Sequence, residues 1–366
     1  MDDAGFRVVF EVSRMGRGGV FSMTVAVALS GGVDSAVAAY LLKKEGHRVW
    51  GITMIHHADM EGSLPKVKAV AESLDIPLEV VDLQDAFRER VIDPFIRQYA
   101  EGRTPSPCPI CNRVIKMGLL MDEALSMRVR KMATGHYARV WEDGEGFHLL
   151  RGKDKRKDQS YFLSLLSQEQ LSRFLLPLGG LKRVDVEKTA YTLGFSGSGL
   201  HGSQEICFLT GHYTGLLREQ GLDPGPGNVR DVQGKIIGEH RGYIHYTVGQ
   251  RRGLGVAKGV PLYVVQIIPE ENTIVVGPED HLFSREITVF SPHWIHEPCG
   301  DSPWRLDVKI RYRHTGAPAL VRSLGDKLDV LFETPQRAPT PGQLAVFYRD
   351  DEVLGGGWIE DVHRAS

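Results

Sequence analysis

Long apolar runs are missing from this chain of 366 residues. Nothing approaches the roughly 18 consecutive apolar residues of a membrane-spanning helix. A leader pattern is missing as well: the first twenty residues intersperse Asp2, Asp3, Arg7, Glu11, Arg14 and Arg17 with short apolar stretches. A secretory signal would instead carry one uninterrupted apolar segment, so a cytoplasmic location with no membrane partner is expected. Cysteine is scarce, at four residues, which is no disulfide framework for a chain of this length. An excess of one charge is lacking too, since 44 basic and 46 acidic side chains leave −2. The bulk charge therefore carries no nucleic-acid signature. With 42% hydrophobic and 25% charged residues and no repeat or low-complexity tract, disorder, collagen and coiled coil are excluded.

Glycine, by contrast, is plentiful at 41 residues, which predicts tight turns or phosphate loops. The first half alternates strand and helix signals: strands at 24–29, 48–54, 78–83 and 131–134, helices at 35–45, 65–74, 84–101 and 114–127. Further helical signals follow at 168–174 and 184–193. That order predicts an α/β, doubly wound, Rossmann-like domain with a mostly parallel sheet. After the turn-rich Asp223–Asn228 segment only short alternating runs remain, at 263–268, 273–276, 305–312, 328–332 and 344–348. They predict a small mainly β domain and then a C-terminal β-barrel. The expected division is 1–22 as an N-terminal extension, 23–222 as the catalytic domain, 223–283 as the central β-rich domain and 284–366 as the barrel.

The strongest local signal is Ser30-Gly31-Gly32-Val33-Asp34-Ser35 between a buried strand and a helix. Glycines admit a ligand close to the backbone, and the hydroxyls and free N–H groups at a helix start suit phosphate oxygens. No Walker loop occurs. A second glycine pattern, Gly197 to Gly202, matches GxGxxG but follows a helix, so its context fails for a dinucleotide site. Cys108 and Cys111 lie in Thr104–Asn112, where three prolines predict a stiff loop before a helix whose start would make a thiol more nucleophilic. Cys207 follows in Ser203–Phe208. Four zinc ligands in two pairs are not readable. His56, His57 and Cys299 read as structural.

SGGVDS resembles the pyrophosphatase loop of the N-type ATP pyrophosphatases. The ordered set SGGVDS, TPSPCPICN, ATGHYA (133–138), KDQSYFL (157–163), SQEICF, HYTVGQRRGLG (245–255), RYR (311–313) and TPGQ (340–343) resembles the bacterial tRNA-specific 2-thiouridylase family from about Met23 to Ile359. The resemblance implies ATP-dependent 2-thiolation of a wobble uridine, with Mg2+ accompanying ATP and a tRNA anticodon stem-loop as partner. A cysteine desulfurase or a sulfur relay protein would supply sulfur. It further implies that Ala28, Leu29, Ser30, Gly31, Gly32, Val33, Asp34 and Ser35 hold the ATP phosphates, and that Met54 and Gly135 contact the adenosine. Cys111 matches the nucleophile and Cys207 the persulfide carrier; Ser106, Pro107 and Cys108 would lie against the target base. His136, Lys157, Asp158, Gln159, Arg311, Tyr312 and Gln343 match tRNA-contacting positions. Two basic clusters, Arg151 to Lys157 and Arg305 to Arg313, would then be phosphate contacts. Asp34, the nearest carboxylate, would orient the loop or meet the metal. Some family members carry Asp where this chain has Cys108, and three thiols at 108, 111 and 207 could ligate a [4Fe–4S] cluster instead. Two rivals remain: an ATP-dependent ligase or synthetase, which leaves both cysteine segments idle, and an RNA-binding protein with a decayed loop.

Overall fold

The computed structural model describes residues 22–195, 206–209, 211, 213–256 and 259–363. The N-terminal extension, apart from its last residue, and the GxGxxG segment lie outside the described residues. The chain forms two compact units that are not contiguous in sequence. One comprises 22–87, 111–195 and 351–353; the other comprises 88–110, 206–350 and 354–363.

The first unit is built on a five-stranded parallel sheet. Its strands are β1 (Thr24–Ala28), β2 (Arg48–Ile55), β3 (Leu78–Asp82), β4 (Lys131–Ala133) and β7 (Phe174–Leu175), in the order β3-β2-β1-β4-β7. Val25, Ala26 and Val27 are all fully buried, as a central parallel strand covered on both faces must be. Val25 and Val27 meet α1 (Val33–Lys44) through Ala36, Val37 and Ala39, and α2 (Leu64–Ser73) through Val67 and Ala71. Small side chains on α1 let the helix sit close to the sheet. A hairpin of β5 (Ala138–Asp143) and β6 (Gly146–Arg151), absent from the sequence reading, completes this unit. The C-terminal residues Glu352 and Val353 pair with β6.

In the second unit, β8 (Gly227–Asp231), β9 (Ile236–His240), β10 (Tyr263–Ile268) and β11 (Thr273–Gly277) form a small sheet in the order β10-β11-β8-β9. Its core includes Phe95, Ile96 and Tyr99 of the Asp93–Ala100 helix, packed with Leu217, Val229, Ile244 and Val264. A six-stranded antiparallel barrel follows: β12 (Phe283–Trp294), β13 (Trp304–Lys309), β14 (Ala317–Leu324), β15 (Lys327–Arg337), β16 (Leu344–Arg349) and β17 (Glu352–His363). The order is β12-β15-β14-β13-β16-β17, closed by β12–β17 pairing. Alternate residues such as Ala317, Ala319 and Val321 of β14, and Leu328, Val330 and Phe332 of β15, fill its interior, the period of two expected of a strand with one buried face. The α/β class, the small β region and the terminal barrel all match the expectation.

Candidate active site

The nucleotide loop sits where β1 ends, with β2 and β4 as neighbours in the sheet, the position at which open parallel sheets bind ligands. Gly31 adopts φ +73, a left-handed conformation that a side chain strains. Ser35 is buried; its Oγ accepts from Ser30 N at 3.2 Å and donates to Gly32 O at 3.0 Å. The serine thus closes the loop on itself, leaving the first α1 N–H groups without intrahelical acceptors. Met54 is a buried residue near the end of β2. On the other side, Gly135 lies hard against the start of α1: a Cβ there would come within 2.7 Å of Asp34 C and 2.9 Å of Ser35 N. Only glycine fits.

Asp34 has its charge answered. Its Oδ1 accepts from Tyr137 Oη at 2.8 Å and from the Arg183 guanidinium. The carboxylate therefore orients the loop. Burial, reinforced by Asp34, raises the Tyr137 phenol above its ordinary range, so it stays a donor.

Cys111 corrects the expectation of a stiff loop. Helix starts at Pro107 (Pro107–Ile110), widens into π turns over Cys111–Leu120 and ends as α-helix over Met121–Ser126. Proline is tolerated in a first helical turn because the missing N–H would have no partner there. Cys111 is buried, 7% exposed. Asn112 beside it donates to Phe162 O at 3.0 Å. π turns shift the hydrogen-bond ladder, and Gln170 answers this: its Nε2 donates to Arg113 O at 2.7 Å and Met117 O at 2.8 Å. The same side chain makes a capping box with Ser167.

In the second unit, Ser106 and Cys108 are half-buried and Pro107 is buried. Gly342, at φ +89, packs closely on Arg103 and Thr104, where a Cβ would come within 3.1 Å of each, and Gln343 Nε2 donates to Thr104 O at 2.8 Å. Thr104 N in turn donates to Pro341 O at 2.9 Å. The TPGQ turn thus anchors the segment leading to Cys108. Cys207 is exposed on a turn whose neighbours Ile206 and Phe208 pack into the core, with Phe208 edge-on to Phe95 at 5.2 Å.

Against known families, residues 23–211 match a tRNA methyl transferase HUP domain, 217–278 a tRNA methyl transferase PRC-barrel domain and 284–359 an aminomethyltransferase beta-barrel domain. Proteins named tRNA-specific 2-thiouridylase MnmA align along almost the whole chain. That of Syntrophomonas wolfei is 42% identical, covering 92% of this chain and 100% of its own. That of Desulforudis audaxviator is 45% identical, covering 92% and 98%. This chain belongs to the tRNA-specific 2-thiouridylase family.

Among the positions that the family resemblance marks for tRNA, the structure separates reachable groups from committed ones. Asp158 is buried: Oδ1 accepts from Gly152 N at 3.0 Å and Ser160 N at 3.1 Å, and Oδ2 from Ser160 Oγ at 3.0 Å. Gln159 Oε1 accepts from Tyr137 N at 3.0 Å. Asp158 thus closes the 152–160 loop on itself, and Gln159 ties that loop to Tyr137. His136 Nδ1 lies 2.6 Å from Thr134 Oγ1, and burial, with a smaller push from Lys116, takes its pKa down to about 3. It presents a neutral imidazole. Lys157 is half-buried, while Lys153, Lys155 and Arg156 are exposed. Arg311 donates to Arg337 O at 2.9 Å, and Tyr312 lies beside the buried Lys309, whose Nζ is 5.9 Å from its ring centre. With Arg305 paired to Glu333 at 2.5 Å, the 305–313 cluster is less of a bare cationic face than its composition implied.

His56 was expected to be structural. It is buried edge-on to Phe87 at 4.7 Å, and burial with a push from His57 takes its pKa down to about 4. Cys299 is exposed. Three residues that hold these segments in place escaped the sequence reading. Tyr137 stood inside ATGHYA unremarked, Arg183 begins the Arg183–Thr192 helix, and Gln170 was readable only as a capping residue three positions after Ser167. Among the described residues no helix is long and apolar enough to cross a membrane.

Proposed function

We propose that this protein is an ATP-dependent tRNA-uridine 2-sulfurtransferase acting on the wobble position. The observation that carries the reading is the exposed Cys207 on an anchored turn in a chain that also holds an intact SGGVDS loop. A sulfur carrier must be reached by a donor protein, and an exposed thiol meets that need.

A uracil C2 oxygen is a poor leaving group. Adenylation by ATP at residues 28–35 releases pyrophosphate and lets AMP depart in its place. Magnesium, entering with ATP, would neutralise phosphate charge. The terminal sulfur of a Cys207 persulfide attacks C2, AMP leaves, and the Cys111 thiolate then attacks Cys207 Sγ. This frees the thiocarbonyl and leaves a Cys111–Cys207 disulfide, so two thiols supply the two electrons that reduce the sulfane sulfur. In the variant order, Cys111 attacks first and hydrosulfide adds to C2, with the same electron balance. An external dithiol then reduces the disulfide back to two thiols, and a desulfurase or relay protein would reload Cys207 with sulfane sulfur. Residues 23–222 are proposed as the catalytic domain, 223–283 and 284–366 as domains that hold the anticodon stem-loop, and Ser106, Pro107 and Cys108 as the floor under the extruded base.

A [4Fe–4S] site on Cys108, Cys111 and Cys207 is the second reading, favoured by a thiol at 108. An exposed Cys207 fits a carrier better than a shielded cluster ligand, so no step is routed through iron. The deciding experiment is anaerobic incubation with unmodified tRNA, Mg-ATP, a cysteine desulfurase with cysteine as sulfane-sulfur donor and a dithiol reductant, followed by nucleoside mass spectrometry. The expected result is 2-thiouridine that vanishes in Cys207→Ser. AMP formed only with other acceptors would favour a synthetase, and colourless protein without iron or acid-labile sulfide would remove the cluster.

A further inference from the structure

The motif 245–255 contributes no residue to the site above, yet it carries two adjacent arginines. Arg251 and Arg252 are both exposed, and among the described residues no carboxylate pairs with either. Three arginines of the same unit are neutralised, Arg218 by Asp223 at 2.8 Å, Arg230 by Glu271 at 2.5 Å and Arg337 by Glu279 at 2.9 Å. Glu239, on the neighbouring strand β9, is exposed and engages neither.

The backbone beneath the pair is tied down at every step. Gly249 N donates to Val264 O at 2.8 Å, and Val264 N to Gln250 O at 2.9 Å. Gln250 works at both ends of its side chain: Oε1 accepts from Thr247 N at 3.2 Å and Nε2 donates to Arg252 O at 3.0 Å. Tyr246 Oη donates to Gly253 O at 3.3 Å, and Leu254 is buried in the unit's core. Positive φ at Gly249, Gly253 and Gly255 turns the chain tightly around the two arginines. Two permanently charged forks on a fixed turn lose little backbone freedom on binding an anion.

We infer that Arg251 and Arg252 form a phosphate-binding tip that grips the tRNA backbone away from the reacting base. This rests on the tRNA reading above, and the experiment separates the two. Binding of unmodified tRNA to the full chain would be measured by anisotropy across a potassium chloride series, for wild type, Arg251→Ala/Arg252→Ala and Arg251→Lys/Arg252→Lys. Each lost phosphate contact lowers the slope of log K against log salt by roughly one. The double alanine variant should therefore lose about two in slope. It should show a raised KM for tRNA with kcat for thiolation unchanged at saturating tRNA, and the lysine pair should keep most of the slope. Wild-type affinity and slope in the alanine variant would overturn the inference alone and point to an acidic protein as the partner. No tRNA binding by wild type would overturn the function reading and this inference with it. An unchanged thermal midpoint in the alanine variant excludes misfolding; if the midpoint falls, the lysine pair, compared with wild type, decides by its slope.

Discussion

Gly135 shows how much a single hydrogen can matter. A methyl group there meets backbone atoms of Asp34 and Ser35 at 2.7 to 2.9 Å, and backbone cannot swing aside as a long side chain can. Gly135→Ala should push the start of α1 outward, at a cost of about 1–3 kcal/mol. Steady-state kinetics should show a KM for ATP raised roughly ten- to hundredfold, with tRNA affinity little changed; an unaltered KM would show that the loop tolerates displacement. At this scale the sequence was informative about residue type and poor about commitment. Glycine in ATGHYA and aspartate in SGGVDS were legible as belonging to the site. That Asp158 and Gln343 spend hydrogen-bonding groups on neighbouring backbone was not, because a carboxylate or amide has the same composition whether it faces solvent or an amide N–H.

Helix boundaries depend on where proline falls within a turn. Three prolines in 104–109 read as a loop, yet two of them sit in the first turn of a helix, where no backbone donor is lost. The π turns over Cys111–Leu120 had no readable sequence signal, and the amide that engages their carbonyls, Gln170, lies 57 residues from Arg113 and 53 from Met117. Gln170→Leu strands the carbonyl of the buried Met117, at about 1–3 kcal/mol when left unsatisfied, while water can take over at the exposed Arg113 carbonyl. The segment should then relax toward ordinary α geometry and rotate Cys111. Alkylation of Cys111, followed by peptide mass spectrometry, should change in rate severalfold. Unchanged reactivity together with an unchanged unfolding midpoint would show that the amide does not hold the π turns. The β5–β6 hairpin was missed although Asp143-Gly144 is a turn signal, because the flanking runs are short and carry charges.

Stability of the whole molecule should depend on pH through two desolvated imidazoles. His56 and His136 have pKa values taken down to about 4 and about 3, while an unfolded histidine titrates near 6.5. Between these limits the unfolded chain binds protons that the native one refuses, so stability is present above about pH 6.5 and is lost as pH falls toward 4. Each histidine contributes a slope of up to about 1.4 kcal/mol per pH unit. Thermal midpoints from pH 7 to pH 5 should fall less steeply in His56→Leu than in wild type, and parallel curves would rule out a buried neutral His56. At this scale the class of fold was legible from alternation and turns. The gathering of 88–110 with the β-rich residues was not: Phe95, Ile96 and Tyr99 announce an apolar helix face without naming the surface that covers it.

The nucleotide-binding unit includes residues 351–353: Glu352 and Val353 pair with β6, Glu352 meets His148 at 2.6 Å and Asp351 pairs with Arg139 at 3.3 Å. During translation this unit therefore cannot be completed until residue 353 has left the ribosome, well after residues 22–195 have done so. A fragment ending at residue 222 would expose the edge of β6 and leave His148 without its Glu352 carboxylate. Evolution could trade the barrel for another module only by supplying a substitute for those three residues.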